Sequence, residues 1–187
     1  NTRSRGLGDV YKRQPQTLGL VKNTSVLENV LIGALPRLNN LKSFFKMFPK
    51  EEIEKAHDIL DLVGLDTKSE RKVHMLSGGE KRRVAIARAL MQTPDVLLAD
   101  EIVSELDSVT AREVMDIIKD AQKKFKLTAI MIHHDMNLAL EYANRVAVIQ
   151  DGDKVLEIGV EGEQIIDFQT GNLTQEEILE MYNEPQK

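Results

Sequence analysis

The stretch "LSGGEKRRVAIARALMQTPDVLLADE", Leu76 to Glu101, joins two patterns that decide the architecture. The first is a Ser-Gly-Gly turn opening a helix, with Val84, Ala87 and Leu90 along one side. The second is a short apolar run ending in two carboxylates, Asp100 and Glu101. Free N–H groups at a helix start, with the positive end of its dipole, make an anion site, and glycines let phosphate oxygens come close to the backbone. Ser77 and Glu80 also have the spacing of a plain capping box, so "SGGE" alone has a structural reading beside the functional one. The end of "VLLADE" is equally double. It is either a buried strand meeting solvent, or a site where Asp100 orients Mg2+ and Glu101 polarises an attacking water. Strand carboxyl ends are where open α/β sheets bind ligands, which favours the second.

Downstream, "DVLLAD", "TAIMIHH" and "RVAVIQ" are short continuous apolar runs, the pattern of parallel strands covered on both faces. Between the first two, "SVTAREVMDIIKDAQKKF" sets Ala111, Val114, Ile118, Ala121 and Phe125 on one helical stripe, giving a β-α-β unit with a right-handed crossover. "MNLALEYA" predicts a further helix, "DGDKVLEIG" a turn and a small antiparallel strand, and Thr174 with Glu177 a cap for a final helix, "QEEILEMYN". Upstream, Ser25 and Glu28 have capping-box spacing ahead of a helix. "EEIEKAHDILDLVGL" aligns Ile53, Ala56, Leu60 and Val63, with Gly64 where a helix C-cap belongs. "PRLNNLKSFFKMFPK" reads as loop and short helix, its Phe44, Phe45 and Phe48 either core or a contact for a membrane partner.

A chain of 187 residues, 42% hydrophobic, can bury the core of one compact domain with an inserted lobe. A formal charge of −5 argues against a nucleic-acid protein with a broad basic face. Lys81, Arg82 and Arg83 are a small basic cluster, but at a helix start beside Glu80 they read as scaffolding, partly solvated and partly ion-paired. The absence of cysteine excludes disulfides, thiolate metal sites and Cys nucleophiles. No apolar stretch approaches the roughly 20 residues of a spanning helix, so a membrane role would pass through a partner. Residues 1–14, "NTRSRGLGDVYKRQ", lack an amphipathic period and resemble translated adapter sequence; they are read as non-native, the other reading being a native disordered basic tail.

The order "LSGGEKRRVAIARAL", "VLLADE", "SELD", then a strand ending in His133-His134-Asp135, resembles the ATP-binding subunit of ABC transporters. The resemblance runs from Pro15 to the C-terminal helix. It implies an α/β fold: an incomplete P-loop NTPase (RecA-like) core with parallel strands, an α-helical signature subdomain, and a small C-terminal antiparallel element plus helix. The implied division is 15–94 for the Q-loop and helical subdomain, 95–150 for the core, and 151–187 for the C-terminal strands and helix. By the same resemblance Ser77, Gly78 and Gly79 touch the γ-phosphate of ATP held by an opposing subunit. Asp100 is the Walker B metal residue, Glu101 the catalytic carboxylate, Asp107 the D-loop residue at the dimer seam, and His134 the switch histidine. Gln16 corresponds to the Q-loop glutamine that reaches Mg2+. His133 stands where the family often has Thr. His74 could approach the phosphates, and His57 reads as a surface or half-buried side chain.

Two departures bear on this. Ile102 follows Glu101 where the family usually has Pro, which relaxes the backbone and leaves the carboxylate in place. No Gly-rich loop ending in Gly-Lys-Ser or Gly-Lys-Thr occurs anywhere in the chain, and that loop supplies most nucleotide contacts. The expectation is therefore a C-terminal portion of an importer ATPase, inert by itself, most like the phosphonate-importer ATPases. The whole would bind ATP and Mg2+ and pair head to tail with a second ATPase subunit. Permease subunits would hold it on the inner face of the plasma membrane, with a solute-binding protein engaged indirectly and no nucleic acid. Two other readings stand beside it: a soluble ATPase of the same family acting on nucleic acid or ribosomes, and a non-catalytic docking module.

Overall fold

The computed structural model describes residues 18–38, 48–161, 164–167, 171–174 and 178. Expectations for Gln16, Phe44, Phe45, residues 1–14 and most of the final helix fall outside these. The chain divides into two compact units. One is built on residues up to Leu97 with Phe125–Leu127, the other on Leu98–Lys124 with the residues from Thr128 onward.

The first unit is helical, and its helices begin where local chemistry starts them. Helix α1 (Val26–Leu31) opens on a reciprocal capping box: Ser25 Oγ accepts from the Glu28 amide at 3.1 Å, and Glu28 Oε2 accepts from the Ser25 amide at 2.9 Å. Helix α2 (Lys50–Leu62) ends at Gly64, whose φ of +67° an L side chain adopts only with strain. There the Leu65 and Gly64 amides donate to the carbonyls of Leu60 (2.8 Å) and Asp61 (2.9 Å), a Schellman closure. Helix α3 (Gly78–Met91) starts at Ser77 and buries Val84, Ala87 and Leu90, the stripe its sequence predicts.

These three helices pack on one another around Val26, Val30, Ile59, Leu60, Val84 and Leu90. After α1 a 3-10 turn, Ile32–Arg37, runs so close to α3 that a Cβ on Gly33 would lie 2.3 Å from the Arg88 carbonyl oxygen and 2.9 Å from Met91 Cβ. Only a residue without a side chain fits that approach. Asn29 is fully buried with its amide satisfied: Oδ1 accepts from the Val21 N–H, and Nδ2 donates to Val21 O, Thr24 Oγ1 and Ser25 O. Arg88 likewise donates to the carbonyls of Leu18 and Gly19, both at 2.7 Å.

The second unit holds β2 (Thr128–Ile132) and most of β1 (Val96–Asp100) and α4 (Ser108–Phe125); the two strands are neighbours in a two-stranded sheet, joined through the helix. Helix α4 buries Ala111, Val114, Ile118 and Ala121 as expected, with Phe125 half-buried. Coverage on both faces is not what the structure has. Leu97 and Ala99 point inward, while Leu98, Ile130 and Ile132 are 74%, 55% and 56% exposed, so among the described residues one face stands open. Period-2 alternation puts those side chains together on that face.

The run "RVAVIQ" also departs from expectation. As β3 (Arg145–Gln150) it belongs to a separate antiparallel sheet, order β3-β4-β5-β6, with β4 at Asp153–Glu161, β5 at Gln164–Asp167 and β6 at Gly171–Leu173. The reason is the turn at Asp151-Gly152, where both residues have positive φ (51° and 92°) and close a two-residue hairpin between Gln150 and Asp153. Strand chemistry left the partner open; the turn fixed it. Helix α5 (Met136–Tyr142) packs Met136 and Leu140 with Leu156, Ile158 and Ile178, whose amide donates to Thr174 O at the expected helix start.

Candidate functional site

The carboxylate pair lies at the carboxyl end of β1. Asp100 is exposed there, and the ladder continues one residue further, since the Glu101 amide donates to Ile132 O at 3.1 Å. Glu101 then breaks the strand with φ +48°, a left-handed conformation that costs a non-glycine residue about 1–2 kcal/mol. Its carbonyl accepts from the Ser104 amide at 3.0 Å and from Ser104 Oγ at 2.7 Å, which holds the turn closed. The residue before a proline is pushed toward extended backbone. Ile102 leaves Glu101 free of that constraint.

His134 arrives from the end of β2. Its Nε2 lies 2.5 Å from Glu101 Oε1, joining residues 33 apart in sequence across the edge of the two-stranded sheet. Asp135 caps α5, Oδ1 accepting from the Leu138 amide at 3.2 Å. Helix α5 is tied to α4 by the Arg112–Glu141 ion pair at 3.1 Å and by Tyr142 Oη donating to Asp116 at 3.0 Å. Burial first, and the Asp116 carboxylate second, push the Tyr142 phenol up to about 12. Between the turn after β1 and the start of α5 lies a cleft of about 560 Å³, lined among others by Glu101, Ser104, Ser108, His133, His134 and Asn137.

Asp107 sits at the start of α4 and is already engaged. Its Oδ1 accepts from the Thr110 and Val109 amides at 3.0 and 3.1 Å, and its Oδ2 from Thr110 Oγ1 at 2.7 Å. The Thr110 hydrogen bonds hold its carboxyl below the usual carboxylate range.

The signature turn belongs to the other unit. Ser77 and Gly78 are exposed, and a Cβ on Gly78 would meet nothing within 4 Å, so the turn is open to solvent. The structural reading of "SGGE" is realised in full: Ser77 Oγ accepts from the Glu80 amide at 3.2 Å and Glu80 Oε2 accepts from the Ser77 amide at 2.7 Å. Lys68 donates to the Glu80 carboxylate and, with the Ser77 amide, lowers its pKa to about 2. Gly78 and Gly79 then carry the first-turn amides that helix geometry leaves without intrahelical partners. Capping therefore orders the turn and leaves the amide of the exposed Gly78 outside the capping box, while Gly79 is buried.

Several remaining candidates have structural partners. His74 bonds the Lys22 carbonyl through both its amide (3.0 Å) and Nδ1 (3.1 Å). His57 Nδ1 pairs with Asp66 at 2.6 Å. Lys81, Arg82 and Arg83 are half-buried along α3, which is scaffolding and not an open basic face.

Sequence reasoning missed the role of Ser104. The signal for Ser104 was a hydroxyl three residues after a carboxylate at a strand end, the spacing of a closed turn. Among the described residues no cluster of three or more metal-ligating side chains occurs. A self-sufficient metal centre does not fit these residues. An exposed strand-end carboxylate such as Asp100 does suit Mg2+ that arrives on phosphates, which typically takes only one or two protein carboxylates.

Residues 5–104 match the family model described as ABC transporter. The phosphonates import ATP-binding protein PhnC of Shouchella clausii (strain KSM-K16) is 39% identical over 170 residues, covering 91% of this chain and 60% of that relative. A crystal structure of a nucleotide-free ATP-binding cassette from an ABC transporter superposes with a TM-score of 0.67 at 29% identity, covering 92% of this chain and 63% of that one. The dimeric structure of a post-hydrolysis cassette bound to ADP and Pi gives 0.64 at 30% identity, covering 79% and 61%. The α/β core and helical unit are those of a P-loop NTPase cassette, and a family match spanning more than half of the residues decides the matter: the chain belongs to the ABC transporter family.

Proposed function

We propose that this chain is the signature-and-Walker-B portion of an ATP-hydrolysing importer subunit. The observation that carries the reading is the 2.5 Å contact between His134 Nε2 and Glu101 Oε1 at the carboxyl edge of β1 and β2. It fixes the rotamer of a carboxylate that the turn at φ +48° has already swung out of the strand. In the working enzyme Glu101 would orient the attacking water and accept its proton, while His134 would hold the γ-phosphate end of that arrangement. Asp100, with Gln16, would hold Mg2+, which supplies charge neutralisation on the β- and γ-phosphate oxygens. Ser77, Gly78 and Gly79 would serve the ATP of a second, head-to-tail subunit, with Asp107 at the seam. A dimeric cassette among the solved neighbours supports that arrangement.

The relative named for phosphonate import supports a phosphonate-like solute; in this reading permease subunits would carry it and a solute-binding protein would supply it. Such a subunit would work on the inner face of the plasma membrane; no described helix is long and apolar enough to cross it. Without a Gly-Lys loop in its sequence this chain would bind ATP weakly and turn over none.

The test is a chimera in which residues 15–187 replace the matching segment of the Shouchella relative. ATP hydrolysis is expected, falling at least about a hundredfold with Glu101→Gln or His134→Ala. A folded chimera without hydrolysis, or with hydrolysis indifferent to Glu101→Gln, would overturn the reading.

A further inference from the structure

The geometry points to His133 as a positioning residue for His134. Its Nδ1 accepts a hydrogen bond from the Asp135 amide at 2.8 Å, closing a ring of atoms over the peptide units that flank His134. A peptide N–H only donates, so Nδ1 is the lone-pair nitrogen and the neutral ring carries its proton on Nε2. That Nε2 is shielded from solvent and has no partner among the described residues. Burial lowers the pKa of the ring and keeps Nδ1 available as an acceptor. The neighbouring Asp135 and Glu101 carboxylates act the other way, and His134 acts with burial.

Residue 134 is thereby held from both sides. Behind it β2 ends at Ile132, whose carbonyl accepts from the Glu101 amide; ahead of it Asp135 is fixed by its cap on Leu138. The His133–Asp135 bond restrains the three-residue link, His133 to Asp135, between strand and helix. With the backbone set, the His134 ring falls on Glu101. A Thr hydroxyl can accept from the amide two residues on in the same way, whereas an aliphatic side chain of any size cannot. The inference rests on Glu101 and His134 being the working pair, but its test reads the loop itself and needs no turnover.

The experiment uses the full 187-residue chain, isotope-labelled, as wild type, His133→Leu and His133→Thr. Nitrogen-edited spectra of the wild type should show His133 as the Nε2–H tautomer, with a through-bond coupling from the Asp135 amide to Nδ1. His133→Leu should speed hydrogen exchange at the Asp135 amide by about fivefold or more and abolish the NOEs between the His134 ring and the Glu101 side chain. His133→Thr should restore both, and this holds whether or not the Leu variant folds. An Nδ1–H tautomer in the wild type, His134–Glu101 NOEs that persist in a folded Leu variant, or their loss in the Thr variant would each overturn the inference. A chimera without ATPase activity would instead sink the functional reading and leave these signals untouched.

Discussion

Lys68→Met isolates the charge that holds the signature turn. Lys68 donates to the Glu80 carboxylate, and Glu80 accepts from the Ser77 amide at 2.7 Å, so one side chain links the 3-10 turn at Asp66–Lys68 to the first residue of the turn. The Lys68 hydrogen bond first, and the Ser77 amide second, lower the Glu80 pKa from 4.5 to about 2. At 1.36 kcal/mol per unit that is a ceiling of about 3 kcal/mol of stability. Glu80 is 14% exposed but Lys68 is 36% exposed, and solvent screening at the lysine end reduces the expectation to about 1–2 kcal/mol.

Because the folded pKa is depressed, this contribution is complete above about pH 4.5 and disappears as the pH falls toward 2. Urea unfolding near neutral pH and at about pH 3 should therefore show a larger loss for the wild type than for Lys68→Met. The difference between the two proteins removes the background of other carboxylates. A carbon-detected titration of Glu80 should move up in the variant. If Glu80 titrates in the ordinary carboxylate range in the wild type, or does not move when Lys68 is replaced, the ion pair does not order this turn.

Gly33→Ala should destabilise the helical unit by about 2–3 kcal/mol in urea, because its Cβ would overlap the Arg88 carbonyl oxygen at 2.3 Å and backbone cannot yield; an unchanged midpoint would refute that packing. Tyr142, with a folded pKa raised to about 12, contributes stability that is intact below about pH 10 and lost as the pH climbs through 12. Phenolate absorbance compared between the wild type and Tyr142→Phe should place that step, and Asp116→Asn should bring it down; a step at the ordinary tyrosine value would show the phenol free of Asp116.

What the sequence made legible was what is local. Ser25 with Glu28 and Ser77 with Glu80 lie three residues apart, so a cap can be read from spacing alone, and both boxes form. Gly64 and the Asp151-Gly152 hairpin follow from backbone angles that few residues tolerate. The apolar runs were less informative, since an apolar run reports an apolar environment and not its source. "RVAVIQ" found an antiparallel partner through its turn, and Leu98, Ile130 and Ile132 face outward although their composition matches that of Leu97 and Ala99. Contacts made across long separations left no mark at all: Arg88, on Gly19 and Leu18 69 and 70 residues away, looks like an ordinary polar residue until the chain is folded.

The site shows the same division. That Asp100 and Glu101 end a strand was readable, and so was a histidine at the end of the next one. That Glu101 turns left-handed was not, for no glycine or asparagine marks the position. Yet this conformation is what makes the pair. An extended residue 101 would continue the pleat and send its side chain along the alternation of β1, to the face opposite Asp100. The left-handed kink releases it from that alternation, and the Ile132 carbonyl, the Ser104 amide and hydroxyl, and His134 hold it there against a cost of about 1–2 kcal/mol. Backbone strain of this kind persists where surrounding contacts over-determine it, and here those contacts converge on one carboxylate. Relieving the strain would stabilise the turn and displace the oxygen that His134 meets.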